Sequence, residues 1–269
     1  MRGASRASYA ELRERLAATA PGAPIAAQVG DELFAVTRLL DSEHGLRRAL
    51  ADPTKPAEEK AALVTRLLRG RVAQTTVDLV GEAAAARWSS SGDLADAIEQ
   101  LAIEALTLAA QFDGTLDDLE DDLFRFSRVV SGQPRLRSAL IGPVSEPAKQ
   151  ELLRDLLATK VSSTSLSLIT QLLTHPRGRS PQVALELAAS IAARRREELV
   201  AVVRVATELT PQQRERLGRM LATQHGRAIH LNVLLDPTVL GGMSVQIGDE
   251  LIDGTAASRL AEVRRRLMG

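Results

Sequence analysis

Apolar residues recur along the first three-quarters of this chain at the three- and four-residue steps of an amphipathic helix. Over the last quarter the step shortens to two, the period of a strand with one buried face. Residues 7–19 carry Tyr9, Leu12 and Leu16 on one stripe, and the breaker Pro21-Gly22-Ala23-Pro24 ends that helix. A second stripe follows at Ile25, Val29, Leu33, Val36 and Leu40. Further helices are expected at 57–69, 93–110, 148–159 and 181–198.

The pattern also repeats. DELFAVTRLLDSEHGLRRAL at 31–50 aligns without a gap to DDLFRFSRVVSGQPRLRSAL at 121–140, with eight identities in twenty. Both copies continue through Asp52-Pro53 and Gly142-Pro143, then Thr54-Lys55-Pro56-Ala57 and Ser145-Glu146-Pro147-Ala148, each a hydroxyl cap with an early proline. TTVDLV at 75–80 then parallels TSLSLI at 164–169. The chain is therefore expected to be mostly α, a tandemly duplicated helical bundle with copies at 1–110 and 111–198, followed by a small α/β C-terminal domain at 199–269. Between the copies QFDGTLDDLEDD holds six acidic residues in a dozen. It reads as a solvated linker and helix start, where the helix dipole favours negative charge. An EF-hand-like cation loop needs a ligand spacing and turn glycine that it lacks.

The last domain opens with LVAVVRVAT as a strand. Thr210-Pro211-Gln212-Gln213 is a capping-box helix start, and Gly226 a left-handed stop. AIHLNVLL at 228–235 is a second strand with Ile229, Leu231, Val233 and Leu235 on one face. After the Asp236-Pro237 turn and Gly241-Gly242, Met243, Val245 and Ile247 alternate with Ser244, Gln246 and Gly248. Gly248-Asp249 closes a hairpin, Asp253-Gly254 ends it, and a terminal helix buries Ala256, Leu260, Val263 and Leu267. The order is strand-helix-strand-strand-strand-helix, in a domain small enough to gain from docking.

Composition narrows the chemistry. The 269 residues suffice for two domains with separate cores. Apolar residues make up 45% but aromatics only 2%, so cores must be built from Leu, Ala, Val and Ile. Basic and acidic residues balance at 34 each, which gives no global field toward nucleic acid or anionic lipid. Single-strand binders also need aromatic stacking platforms, and one Trp, one Tyr and four Phe supply few. With no cysteine there are no disulfides and no thiolate sites. No apolar run reaches about 18 residues and no signal-type segment opens the chain, so a protein not inserted in the membrane is expected. His44, His175, His225 and His230 form no ligand pair of known spacing, and Gly241-Gly242 lacks the Lys-Ser or Lys-Thr of a P-loop. No catalytic residue, metal site or cofactor is expected. Arg194–Arg196 and Arg264–Arg266 sit at helix ends, as solvated cations or as contacts for an acidic partner helix.

Residues 234–260 resemble the signature of the delta subunit of F-type ATP synthases, the bacterial counterpart of the mitochondrial oligomycin-sensitivity-conferring protein. The resemblance rests on Asp236, Gly241, Gly242, Gly248, Asp249, Asp253 and Gly254 in order, with Leu260 at helical spacing. The family's N-terminal domain is a single bundle, so this chain is a long form with a second helical unit. The resemblance implies a non-catalytic peripheral-stalk subunit that supports proton-driven ATP synthesis from the cytoplasmic face of the plasma membrane. Its helical part would grip the N-terminal segments of the alpha subunits, and its C-terminal domain would meet the membrane-anchored b-type stalk subunit. Bundles offer grooves for amphipathic helices. Such a groove is expected beside Leu33, Phe34 and Val36, or in the other copy beside Leu123, Phe124 and Phe126, unless these residues are simply core. A helical scaffold of another assembly would share the duplication but not residues 234–260.

Overall fold

The computed structural model describes residues 3–197, 199–207, 209–226, 229–236, 239, 241–247 and 250–253. The chain divides after Ala193 into two compact units, the first entirely helical.

The first copy comprises α1 (Ala4–Thr19), α2 (Ala23–Ser42), α3 (His44–Ala51), α4 (Ala57–Leu68), α5 (Gln74–Ala85) and α6 (Ser91–Phe112). The second comprises α7 (Leu116–Gly132), α8 (Pro134–Ile141), α9 (Glu146–Leu157), α10 (Ser163–Thr174) and α11 (Pro181–Glu197). Local chemistry sets the boundaries. Pro24 falls in the first turn of α2, the Ser90 hydroxyl accepts the Asp93 N–H at the start of α6, and Gly114 at φ 69 turns the chain out of α6. Asp117 and Asp118 occupy the first turn of α7, where the helix dipole favours them. The α7–α8 break at Gln133 precedes a proline, which disfavours helical backbone. Glu43 takes a similar conformation between α2 and α3 without one.

The duplication persists in the packing. Val29, Leu33, Val36, Thr37 and Leu40 of α2 are buried, and so are their counterparts Leu119, Leu123, Phe126, Ser127 and Val130 of α7. Lys60, Val64 and Leu68 of α4 match Lys149, Leu153 and Leu157 of α9. Thr76, Leu79, Val80, Ala83 and Ala84 of α5 match Ser165, Leu168, Ile169, Leu172 and Leu173 of α10. Such agreement means that each copy presents the same face of each helix inward. Ile25 departs from its expected stripe and is exposed.

Helix α6 belongs to both copies. It corresponds to α11 as the last helix of the first copy. A shift of about ninety residues also carries the buried positions of α1 (Ser5, Ser8, Tyr9, Leu12, Leu16 and Ala17) onto Ala95, Ile98, Glu99, Ala102, Leu106 and Thr107 of α6, all buried. A helix that packs on two sides must be apolar nearly all round, and α6 is buried almost continuously from Leu94 to Ala110. It packs against α1, α2, α3 and α5 on the one hand and α7 and α10 on the other, within one core that runs from Tyr9 to Ala192. Gly30 permits the closest approach: a Cβ there would lie 2.8 Å from Leu106 Cγ and 3.2 Å from the Ala102 carbonyl oxygen.

The second unit holds β1 (Leu199–Val205), α12 (Pro211–His225), β2 (Ile229–Leu235), β3 (Met243–Ile247) and β4 (Glu250–Asp253) in a sheet of order β2-β1-β3-β4. Strand β1 is central, parallel to β2 across the α12 crossover and antiparallel to β3. Thr210 and Gln213 form the capping box, and Gly226 caps the other end at φ 66. Its core is Ala201, Val203, Val205, Leu217, Leu221, Val245 and Ile247. Ile229, Leu231 and Val233 pack on it, whereas Leu235 at the strand end and Met220 on α12 are exposed. The terminal helix expected from Thr255 onward lies outside the described residues.

Candidate partner-docking site

Of the six groove candidates, Leu33 and Val36 and their counterparts Leu123 and Phe126 lie in the core. The remaining pair, Phe34 and Phe124, occupy equivalent positions with opposite fates: Phe34 is 4% exposed and Phe124 58%.

Residues 175–177, in the connection between α10 and α11, share a cleft with Phe34. The connection lies over the first copy, where Arg177 donates from Nε to Asp41 Oδ2 (2.6 Å) and from Nη1 to Glu99 Oε2 (2.7 Å) and Asp96 Oδ1 (3.0 Å). Arg179 bonds the other Glu99 oxygen. Arg177 takes a left-handed φ of 51 to reach these acids, a conformation costly for a side chain with a Cβ. Burial alone would lower its pKa, but the hydrogen bonds and charges of Asp41 and Glu99 hold it above its ordinary value. Beside this clamp, Ser167 Oγ donates to Asp31 (3.0 Å), and Arg38 donates to Gln171 (2.7 Å). His175 Nε2 meets Glu146 at 3.1 Å, and burial pulls its pKa below the ordinary value despite that carboxylate. Between α2 and this connection a cleft of about 590 Å³ remains, lined by Phe34, Thr37, Arg38, Asp41, Glu99 and Arg177 among others.

The corresponding surface of the second copy is a groove of about 230 Å³ between α7 and α11. Its Phe124, Ser127, Arg128, Ser131 and Ala189 stand where the first copy has Phe34, Thr37, Arg38, Asp41 and Glu99. Two of the three clamp acids, Asp41 and Glu99, have no acidic counterpart, Glu186 stands in the place of Asp96, the arginine is kept, and Arg128 lies over the Phe124 ring at 5.9 Å.

In the C-terminal unit, Gly241 and Gly242 have φ of 69 and 81, a pair of left-handed residues that side chains with a Cβ rarely adopt. They turn the chain into β3, while the Asp236 N–H donates to the Val205 carbonyl at 2.9 Å and ties the end of β2 to β1. Asp253, opposite Ser244, ends β4. Gly248, Asp249 and Gly254 lie outside the described residues. Among the described residues no cluster of acids and histidines is arranged to hold a metal ion, and no helix is long and apolar enough to cross a membrane.

Sequence reasoning missed the clamp. One signal was available: Glu99 and Glu104 interrupt an otherwise apolar helix, and a buried carboxylate requires a cation nearby. Glu104 has Arg13 Nε at 2.9 Å.

A family model described as "ATP synthase delta (OSCP) subunit" matches residues 103–267, beginning inside α6. Proteins named "ATP synthase subunit delta" are similar over the full length. That of Streptomyces avermitilis is 49% identical over 267 residues, covering 98% of each chain. Those of Streptomyces griseus subsp. griseus and Thermobifida fusca are 48% and 44% identical, covering 100% of each chain. The doubled helical unit is thus accommodated in relatives of the same length.

Proposed function

The chain belongs to the ATP synthase delta (OSCP) subunit family, and from that premise we propose that it is a non-catalytic stator subunit joining the catalytic head to the peripheral stalk of an F-type ATP synthase. The observation that carries the reading is the division into two separately cored units on one chain, since a linker between two partners needs two independent faces. In this reading the helical copies, 1–110 and 111–198, hold the alpha subunits' N-terminal segments. Residues 199–269 meet the b-type subunit. The protein sits at the cytoplasmic face of the plasma membrane through these partners, without inserting.

Holding the head still against a turning shaft requires slow dissociation under load, and dissociation rate is where most affinity differences lie. A few desolvated apolar anchors achieve this better than many rim charges. The test is reconstitution: the purified chain mixed with the catalytic head and the soluble part of the b-type subunit, followed by size-exclusion chromatography. Head and b-type subunit should co-elute only when the chain is present, and the chain alone should not hydrolyse ATP. Co-elution without the chain would refute the linking role.

A further inference from the structure

The cleft between α2 and the α10–α11 connection has no part in the stator reading. At about 590 Å³ it falls within the ~300–1,000 Å³ of small-molecule sites. The first copy contributes Phe34, Arg38 and Leu39 to its wall and the second Thr174, His175 and Pro176, so a single bundle could not form it. The trough at the corresponding place on the second copy measures only about 230 Å³. From the size and chemistry of the larger cleft we infer that it binds a small organic anion, a monocarboxylate whose charged end meets Arg38 and whose apolar body lies against Phe34, Leu39 and Pro176.

The hydrogen-bonding groups of the wall select an acceptor. Asp41 accepts from Arg177 at both oxygens and from Arg47, and Glu99 accepts from Arg177 and Arg179, so neither carboxylate is open to a ligand. Thr37 and Thr174 donate their hydroxyls to the Leu33 and Thr170 carbonyls of their own helices, at 2.9 and 2.8 Å. Arg38 is different. A guanidinium carries five N–H donors, and Arg38 uses Nη1 on the neutral Gln171 side chain at 2.7 Å, with no carboxylate in ion-pair reach among the described residues.

Charge agrees with the donors. Around the clamp Arg47, Arg177 and Arg179 balance Asp41, Asp96 and Glu99, which leaves Arg38 as the one wall cation without an acid. Two further acids lie outside the lining and are engaged: Asp31 accepts from Ser167 and from the other end of the Gln171 amide, and Glu146 meets His175 Nε2 at 3.1 Å. A half-buried guanidinium on a neutral amide gains a charge-assisted bond, about twice as strong as a neutral one, when an anion arrives. A cationic ligand would meet Arg38 and find no open carboxylate. A carboxylate bound here touches both copies at once and so favours their closed arrangement.

The experiment titrates the full-length chain by calorimetry with three probes of one ring and different charge: 2-naphthoate, 2-naphthylmethanol and 2-naphthylmethylammonium. Naphthoate should bind one to one and raise the thermal midpoint, the alcohol should bind at least tenfold more weakly, and the ammonium should not bind. Arg38→Gln should weaken naphthoate tenfold or more and leave the alcohol unchanged, a split that a general loss of structure would not produce. Ser42→Phe, at the exposed rim of the cleft, should weaken both, whereas Arg128→Gln on the second copy should weaken neither. Equal affinity for the three probes, or full naphthoate affinity in Arg38→Gln, would overturn the anion assignment. No binding to the wild-type chain, or binding indifferent to Ser42→Phe, would overturn the site itself. The stator reading stands or falls separately, by the reconstitution above.

Discussion

Replacing Arg177 tests whether the two helical copies are locked by a buried ionic clamp. Its side chain is 14% exposed and that of Glu99 only 3%, so Arg177→Ala leaves a carboxylate in the interior with Arg179 alone to neutralise it. Removing one partner of a buried pair costs about 3–5 kcal/mol. Because Arg179 remains and Asp41 is about one-third exposed, the low end, about 3 kcal/mol, is expected. Arg177→Gly loses the same bonds but relieves the left-handed φ, a strain of about 1–3 kcal/mol. It should therefore be the milder variant. Trp88 reports on this unit alone, being the only tryptophan, buried, with its indole N–H on the Ala83 carbonyl at 2.7 Å. Urea unfolding followed by its fluorescence, with a slope of about 2–3 kcal/mol per molar, should show the midpoint of Arg177→Ala lowered by about 1–1.5 M. A loss below about 1 kcal/mol, the range of surface ion pairs, would refute the clamp.

Three other substitutions probe the same packing. Gly30→Ala should lower stability by about 1–3 kcal/mol through overpacking against Leu106 and Ala102, despite the roughly 1 kcal/mol that alanine gains in a helix; a raised melting temperature would contradict the close approach. Phe34→Ala should cost about 3–5 kcal/mol, whereas Phe124→Ala stays within about 0.5 kcal/mol in the same urea assay. Burial makes His175 harder to protonate in the folded state than in the unfolded chain, which takes up its proton first. Stability should therefore fall as pH drops through the ordinary histidine value of 6.5 and level off below the depressed one. His175→Gln should flatten that part of the pH–stability curve, and an unchanged curve would show that another group is responsible.

The element types were legible wherever a helix or strand has one wet face, as at Leu33 and Val36, at the Thr210 capping box, and in the alternation of Met243, Val245 and Ile247. The ninety-residue repeat was legible because equivalent helices bury equivalent positions. What periodicity could not reveal is where a repeat meets its neighbour. Phe34 and Phe124 carry the same letter in the same pattern, yet one is buried beside the cleft it shares with the α10–α11 connection and the other is exposed. Arg177 lies in no periodic segment, so its role depends on a backbone path that its type does not encode. The double duty of α6 left a trace in its nearly continuous apolar run, a pattern that in a single bundle would have no second surface to cover.

That double duty leads to a prediction about where the chain can be cut. Seen as two adjacent copies, residues 111–193 form a complete second bundle. In the structure they lack a first helix, and α6 packs against α7 and α10 in that place. Uncovering the apolar faces that α6, α7 and α10 bury against one another costs several kcal/mol at about 25 cal/mol per Å², a large share of the ~5–15 kcal/mol stability of an ordinary domain. A fragment of residues 111–193 should thus be largely unfolded by circular dichroism, whereas 90–193, which keeps α6 and its Ser90 cap, should be helical and melt cooperatively. Equal helicity and cooperativity in both would mean that the second copy closes its own core, and the two copies would then be bundles in contact rather than one body built on a common helix. The distinction bears on the stator role: separate bundles can hinge at their contact, whereas copies sharing α6 cannot part without exposing the core.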